Sequence, residues 1–453
     1  MMVPRTRLLW WVAAVLLPFS LVAVIVPAAS GVCLLIIAAL VLVAAGDALG
    51  GRNRLAGIEI SLPNVVRMSR NRAARVEMRI RNPRQNQKIL RLALVFPTEV
   101  PAVDPEMEVK LLPGHEWSRV NWACTPKRRG KYQLDTACVE GSSPLGFWAV
   151  RRRMATPAEV RVYPNLLSER RNLASLFLNR GGYGIHARRQ VGKGRDFEKL
   201  REYVPGDSFD EIHWKATARR GRPVTKVYQI ERTQEVYVVV DSSRLSARTQ
   251  IIPQEKSVAG DGLVETTVLE RFVTAALVMG LAAEQQGDLF GLLTFADRAG
   301  TFVRARNGSA HYSACRDALY TLQPSVVTPD YDDVCSFIRL RLRRRALVVF
   351  LTSLDDPLLA GSLVSALDLI CRQHLVVVGM IQPPGIAPLF SSAKATTSDD
   401  LFRHLGGHLL WQKLREVERT LKNRGVRFAL LQNEQMCTQL VTQYMDVKQR
   451  QLL

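Results

Sequence analysis

Between residues 8 and 46 the chain carries no charged side chain. As one helix rising 1.5 Å per residue, that run would be roughly 58 Å long, about twice the hydrocarbon thickness of a bilayer, so it has to turn back on itself. The turn is written at Pro27-Ala28-Ala29-Ser30-Gly31, where proline and glycine interrupt the helical run. It divides a first span over residues 8–26 from a second over 32–49. Residues 1–50 are therefore predicted to form a two-helix transmembrane hairpin. Arg5 and Arg7 precede it, Arg52 and Arg54 follow it, and the turn is uncharged. Because Lys and Arg are retained on the cytoplasmic face, both termini and the bulk of the chain are expected there. The rival reading is a cleaved signal peptide, since Ala28, Ala29 and Ser30 are small; the second span would then still return the rest of the chain to the same side.

Roughly 400 residues remain beyond the hairpin, enough for two or three domains. With 62 Lys and Arg against 41 Asp and Glu the formal charge is +21. Such a surplus suits nucleic acid, acidic lipid, an acidic protein surface or simply the cytoplasmic side of a membrane, and by itself selects none of them. The seven cysteines include no CxxC and no Cys/His pair at metal-ligand spacing, which argues against zinc. Cys124 and Cys138 could meet across a hairpin, but reduced thiols are expected inside the cell.

Residues 55–165 show short alternating apolar runs, at 76–80, 90–96 and 160–163, separated by Pro, Asn and Gly. This pattern predicts a small all-β, sandwich-like domain. Between Arg67 and Arg91 nine Lys or Arg stand against the single Glu77. Half-solvated strands alternate in this way, and a face toward anionic phospholipid is the sharper alternative. Binding of single-stranded nucleic acid would need aromatics interleaved with the bases. Phe96, Trp117 and Trp122 all lie outside the basic run, so nucleic acid is the less favoured partner.

Residues 166–233 hold a segment that no simple periodicity explains. Gly192, Lys193 and Gly194 lack the second glycine spacing and the Lys-Ser or Lys-Thr that a phosphate loop requires. His186, Asp196, Glu198, Asp207, Asp210, Glu211 and His213 could in principle move protons, yet no nucleophile with an obvious base stands beside them. No catalytic residue is assigned, and a hydrolase using these acids is the weakest reading. Asp207 is expected to cap a helix begun by Ile212 and Trp214, with Arg195, Arg201 and Arg219 pairing to nearby acids. The string formed by Gly192, Gly194, Arg195, Asp196 and Phe197, then Leu200, Arg201, Tyr203, Gly206 and Asp207, then Ile212, Trp214, Thr217, Ala218 and Arg219 resembles the signature of the bacterial family known as domain of unknown function 58. The resemblance implies paired N-terminal spans in the bacterial inner membrane, a β domain and a C-terminal von Willebrand factor A-type domain. It further implies a MoxR-type AAA+ ATPase as protein partner, and it carries no assigned reaction.

From 234 to 453 apolar strands alternate with helices. Strands are predicted at 236–240, 289–295, 346–351, 375–381 and 426–431, and helices near 265–284, 312–322 and 331–344, with helices between the later strands. Uninterrupted apolar strands imply a parallel sheet covered on both faces, an α/β doubly wound domain. In such sheets ligands sit beyond the carboxyl ends of the strands, where Asp241-Ser242-Ser243 falls. The von Willebrand A family holds Mg²⁺ at this place through Asp-x-Ser-x-Ser with a distant Thr and Asp. Asp241 and Ser243 match, and Thr328 could supply a hydroxyl. Leu245 replaces the third hydroxyl, however, and Ser353 stands where the second carboxylate is expected, leaving a hard cation with too few oxygen ligands. The arginines at 339–345 end a helix and complement its dipole. The favoured reading is a membrane-anchored scaffold or adaptor that docks a protein partner. The alternative is a basic protein binding nucleic acid or anionic lipid.

Overall fold

The computed structural model describes residues 1–85, 87–111, 113–179, 191–205, 208–229, 234–253, 263–389, 391 and 397–450. The chain forms two compact units, Met1–Asn165 and Leu166–Leu453.

In the first unit, strand β1 (Met2–Pro4) leads into helix α1 (Thr6–Ile25), and a short 3-10 turn (Pro27–Ala29) connects it to α2 (Ser30–Gly51). Both helices are long and apolar enough to cross a membrane, and only 6% and 11% of the two spans is buried. A helix at the core of a soluble protein would be covered instead. Strands β2 (Glu59–Ser61), β3 (Val65–Ser69), β4 (Ala74–Arg81), β5 (Ile89–Leu94), β6 (Glu106–Lys110), β7 (Trp117–Cys124), β8 (Gly130–Ser142) and β9 (Trp148–Tyr163) follow. They form two sheets, one in the order β1-β9-β8-β5-β6 with β3 also on β9, the other β2-β4-β7. Alternation decides which side chains face inward. Val76, Met78 and Ile80 of β4 and Val120 and Trp122 of β7 meet Leu90 and Leu92 of β5 and Val160 and Val162 of β9 in one core. The expected sandwich is therefore present. All seven cysteines are free thiols.

The hairpin is mounted on this sandwich at both of its ends. β1 pairs antiparallel with β9, and the backbone N–H of Arg5 donates to the Phe147 carbonyl at 2.8 Å. At the other end Asp47, buried in the last turns of α2, accepts from the Ser143 hydroxyl at 2.5 Å and from the backbone N–H groups of Leu145 at 2.8 Å and Phe147 at 3.2 Å. The indole of Trp148 donates to the Ala44 carbonyl at 2.8 Å. Glu140 joins in, bridging Arg5 at 3.3 Å and Arg151 at 2.7 Å. Burial pushes its carboxyl up, but Arg151 and then Arg5 outweigh burial and hold it below the ordinary carboxylate range.

The second unit opens with α3 (Leu167–Asn179), then β10 (Val191–Glu202), α4 (Trp214–Arg220) and β11 (Val224–Gln229). After these come β12 (Glu235–Asp241), β13 (Thr249–Pro253), β14 (Leu263–Thr267), α5 (Val268–Gln285), β15 (Leu289–Phe295), β16 (Ala299–Arg306), α6 (Ser309–Leu319), α7 (Tyr331–Arg341), β17 (Ala346–Leu351), α8 (Pro357–Leu367), β18 (Leu375–Ile381), α9 (Ser398–Asn423), β19 (Arg427–Leu431) and α10 (Met436–Gln449). The main sheet runs β16-β15-β12-β17-β18-β19. Val236, Val238 and Val240 face α3, α5, α6 and α10, while Tyr237 and Val239 face α7, α8 and α9. The result is a three-layer α/β unit.

Two details depart from the sequence expectation. The helix expected from 265 begins at Val268, because 263–267 pairs as β14 with β13 and the Thr267 hydroxyl caps the helix on Glu270. The sheet also gains β16, an antiparallel edge strand on β15. Here Gly291 lies under the ring of Tyr237, and an added Cβ would come within 2.3 Å of it.

Asp47→Ala should destabilise the first unit by roughly 2–5 kcal/mol, because the buried Ser143 hydroxyl and two partly buried backbone N–H groups lose their acceptor, and Asp47→Asn should cost less. Thermal unfolding of the detergent-solubilised chain measures this. An unchanged midpoint for Asp47→Ala would show that the mount is held by other contacts.

Candidate functional site

Strand β12 has β15 on one side and β17 on the other, all three parallel. The chain leaves β12 toward β15 and later crosses back to β17, so the gap beyond the carboxyl ends of β12 and β17 is the topological switch point of the sheet. Asp241 ends β12 and Thr352 follows β17, and the Thr352 hydroxyl donates to Asp241 Oδ2 at 2.6 Å. That bond spans the switch point.

The surroundings are buried and polar. Asp241 Oδ1 accepts from the Ser243 N–H at 2.8 Å. With the Thr352 hydrogen directed at Asp241, the Tyr331 hydroxyl, 3.0 Å away, acts as donor to Thr352. Ser242 donates through its hydroxyl to the Phe295 carbonyl at 2.8 Å, and Ser246 donates to the Ser243 carbonyl at 2.8 Å. Asp241, Ser243, Ser246, Tyr331 and Thr352 are all fully buried. Burial pushes the Asp241 carboxyl above its ordinary range, against the hydrogen bonds from Thr352 and Ser243. Burial, then the Asp241 charge, pushes the Tyr331 phenol up too.

This donor set fits a divalent cation poorly. Asp241 is the one carboxylate of the expected pattern, and both its oxygens already accept hydrogen bonds from the protein. Ser243 Oγ accepts from the Leu245 N–H at 3.4 Å, Leu245 is itself buried, and Thr328 is exposed. Asp355 forms an ion pair with Arg248, and Asp356 caps α8 through the Leu358 N–H. Mg²⁺ asks for six oxygens in near-ideal octahedral order, and among the described residues no group of three or more His, Cys, Asp or Glu side chains could hold a metal ion. Thr352 and Tyr331 were not singled out by the sequence reading. The only signal was that Thr352 directly follows the strand predicted at 346–351.

The signature residues form a small unit of their own. Gly192, Gly194, Arg195, Asp196, Phe197, Leu200 and Arg201 lie on β10, which pairs antiparallel with β11. Ile212 is buried and bridges Thr225 of β11, and the Thr217 hydroxyl accepts from the Val224 N–H at 3.1 Å. The N-cap of α4 is His213, whose Nδ1 accepts from the Ala216 N–H at 3.0 Å. Asp207, expected as a cap, lies outside the described residues together with Gly206 and His186. Trp214, Ala218 and Arg219 are exposed, and Tyr203 stacks on Phe209 with centroids 6.2 Å apart. Arg222 pairs with Glu202 at 2.6 Å. In the basic run of the first unit, Arg79 meets Glu77, Arg81 meets Glu59 and Glu116, and Arg91 meets Glu106. The pairs of Arg81 and Arg91 reach glutamates outside the basic run and offset part of its charge.

Taken together, these features define an α/β unit with a buried polar cluster at its switch point, in a chain that also carries two exposed apolar helices. The family model described as "Protein of unknown function DUF58" matches residues 199–385, which covers the end of β10, α4 and the sheet as far as β18. No curated protein matches the chain. Among solved structures, BatB, a conserved hypothetical protein from Bacteroides thetaiotaomicron, is similar at 14% identity over 47% of this chain and 97% of that one, with a TM-score of 0.28. An aerotolerance-related membrane protein from Bacteroides fragilis is similar at 14% identity over 46% of this chain and 97% of that one, with a TM-score of 0.27. Proximal thread matrix protein 1 from the mussel byssus reaches 15% identity over 42% and 45%, with a TM-score of 0.21. Likeness at this level does not extend to function.

An acid whose folded pKa is raised destabilises the fold as pH rises from its unfolded value, about 3.9 for Asp, through the folded one. Asp241→Asn removes that titration. The stability of the variant relative to the parent chain should therefore grow with pH across this window and then level off, as read by urea denaturation at a series of pH values. A difference that stays constant with pH would mean that Asp241 is not held in a raised state.

Proposed function

We propose that the chain is a membrane-anchored scaffold of the family matched at residues 199–385, with that family's architecture extending over its whole length. The α/β unit is a domain of von Willebrand factor A type, and it docks a protein partner at the switch-point crevice. In this reading both termini lie on the cytoplasmic side of a bacterial inner membrane and the partner is a MoxR-type AAA+ ATPase, as the family resemblance implies.

The observation that carries the anchoring is the mount of the hairpin. Strand β1, ahead of α1, pairs with β9, and α2 ends in hydrogen bonds from Ser143, Leu145 and Phe147 to Asp47; cleavage of a leader near residue 30 would strip β1 from that sheet. Support for docking rather than chemistry comes from the crevice, where Asp241, Thr352 and Tyr331 are committed to one another. A platform of this kind offers shape and fixed dipoles. Because the metal-ligand pattern is incomplete, the reading makes docking independent of Mg²⁺.

Co-purification of the full chain from detergent-solubilised membranes should recover the ATPase equally with Mg²⁺ and with chelator. Its absence in both conditions overturns the partner, and recovery only with Mg²⁺ overturns the metal-independent crevice. A reporter fused after Leu453 should be active on the cytoplasmic side. Activity on the outer side would exclude a cytosolic ATPase.

A further inference from the structure

Helix α9 is longer than the sheet it covers. Its 26 residues extend roughly 39 Å, whereas the five residues of β19 span roughly 17 Å. One face packs inward, with Leu414 and Leu421 buried and Leu410, Trp411 and Val417 against the core. Near the N-terminal half Gly407 sits so close to the 385–386 backbone that an added Cβ would lie 2.0 Å from the Gly385 carbonyl oxygen.

The opposite face of that half is apolar and open. Leu401 is 50% exposed, Phe402 70%, Leu405 39% and Leu409 58%. Spacings of three and four residues place them in one stripe. Gly406 borders the stripe with nothing within 4 Å of the position its Cβ would take. Exposed Asp399 lies seven residues before Gly406 and exposed Lys413 seven after it. Seven residues are two turns, so all three fall on the same flank of the stripe.

We propose that this stripe is the interface with a second copy of the chain, formed by two α9 helices packed antiparallel about a two-fold axis at Gly406. In an isologous pair, residues equally far before and after the axis face each other. Asp399 of each copy then meets Lys413 of the other, Leu405 meets its own mate, and Phe402 packs beside Leu409. Gly406 at the axis lets the helices approach closely. Charge complementarity of this kind singles out a second copy, because a lipid surface would not match an acid to a base across a symmetric centre. Anchoring both copies in one membrane raises their effective concentration. This pairing makes no use of the switch-point crevice, so it stands or falls separately from the partner proposed there.

The test uses the full chain in native membranes with Gly406→Cys and a short bismaleimide, against the parent chain with its own cysteines as background. A covalent dimer should form above that background. Leu409→Asp in the Gly406→Cys chain should abolish it. Asp399→Lys alone or Lys413→Asp alone should weaken dimerisation about tenfold, from two lost ion pairs plus repulsion, and the two together should restore it. A chain that stays monomeric on cross-linking, or a dimer indifferent to Leu409→Asp and to charge reversal, overturns the proposal.

Discussion

The architecture of the first unit depends on one carboxylate at the end of a lipid-soluble helix. The hairpin has no charged group between residues 8 and 46 with which to fix its direction, so its orientation has to be set at its ends. Asp47 does this by accepting three hydrogen bonds from the 143–147 turn, while β1 continues the edge of β9. Both ends of the hairpin are thereby held by the same sheet and lie on the same side of any membrane it crosses. A single tether would leave the spans free to pivot. Two hydrogen-bonded attachments on adjacent strands make the sandwich a rigid base, and the sandwich in turn precedes the α/β unit in the chain.

The switch-point crevice follows a similar rule, in that a buried carboxylate has to be satisfied locally. Here a hydroxyl relay from Tyr331 through Thr352 reaches Asp241. Such a relay is directional and short-ranged, and it leaves little charge to project toward a ligand. The hydroxyls of Ser242, Ser246, Tyr331 and Thr352 are likewise each committed to a partner within the protein. Part of the basic run in the first unit is also engaged locally, since Arg79, Arg81 and Arg91 pair with glutamates.

What could be read from the sequence was set by periodicity. Strands β17 and β18 are continuous apolar runs, so their limits, 346–351 and 375–381, agree with the expectation. The turn at Pro27–Ala29 is equally legible, because proline interrupts an otherwise uniform helix. β16 was missed although 299–306 alternates as an edge strand does; the run is short and carries two arginines and a glycine. Long-range partners leave no local trace. Asp47 and Ser143 are 96 residues apart, and Asp241 and Thr352 are 111 apart, so neither bond is visible to any window of sequence. His213 as a cap was hidden for another reason: the imidazole is an unusual capping group, and Asp207 nearby matched the commoner rule.

Helix α9 shows how one amphipathic pattern can serve two surfaces. Its buried face, through Leu410, Leu414, Val417 and Leu421, accounts for its attachment to the sheet. Leu401, Phe402, Leu405 and Leu409 point away from that attachment, yet they are as apolar as the buried face. A helix held mainly by its second half would shed such residues unless something covered them, because exposed leucine and phenylalanine side chains promote unspecific association. Two features argue against unspecific stickiness. The stripe is narrow, and its flank carries one acid and one base at equal distances from a glycine, an arrangement that favours one antiparallel register and penalises others. A contact of modest area can suffice when the two chains already share a bilayer, because the translational entropy that limits association in solution is largely removed by the anchor.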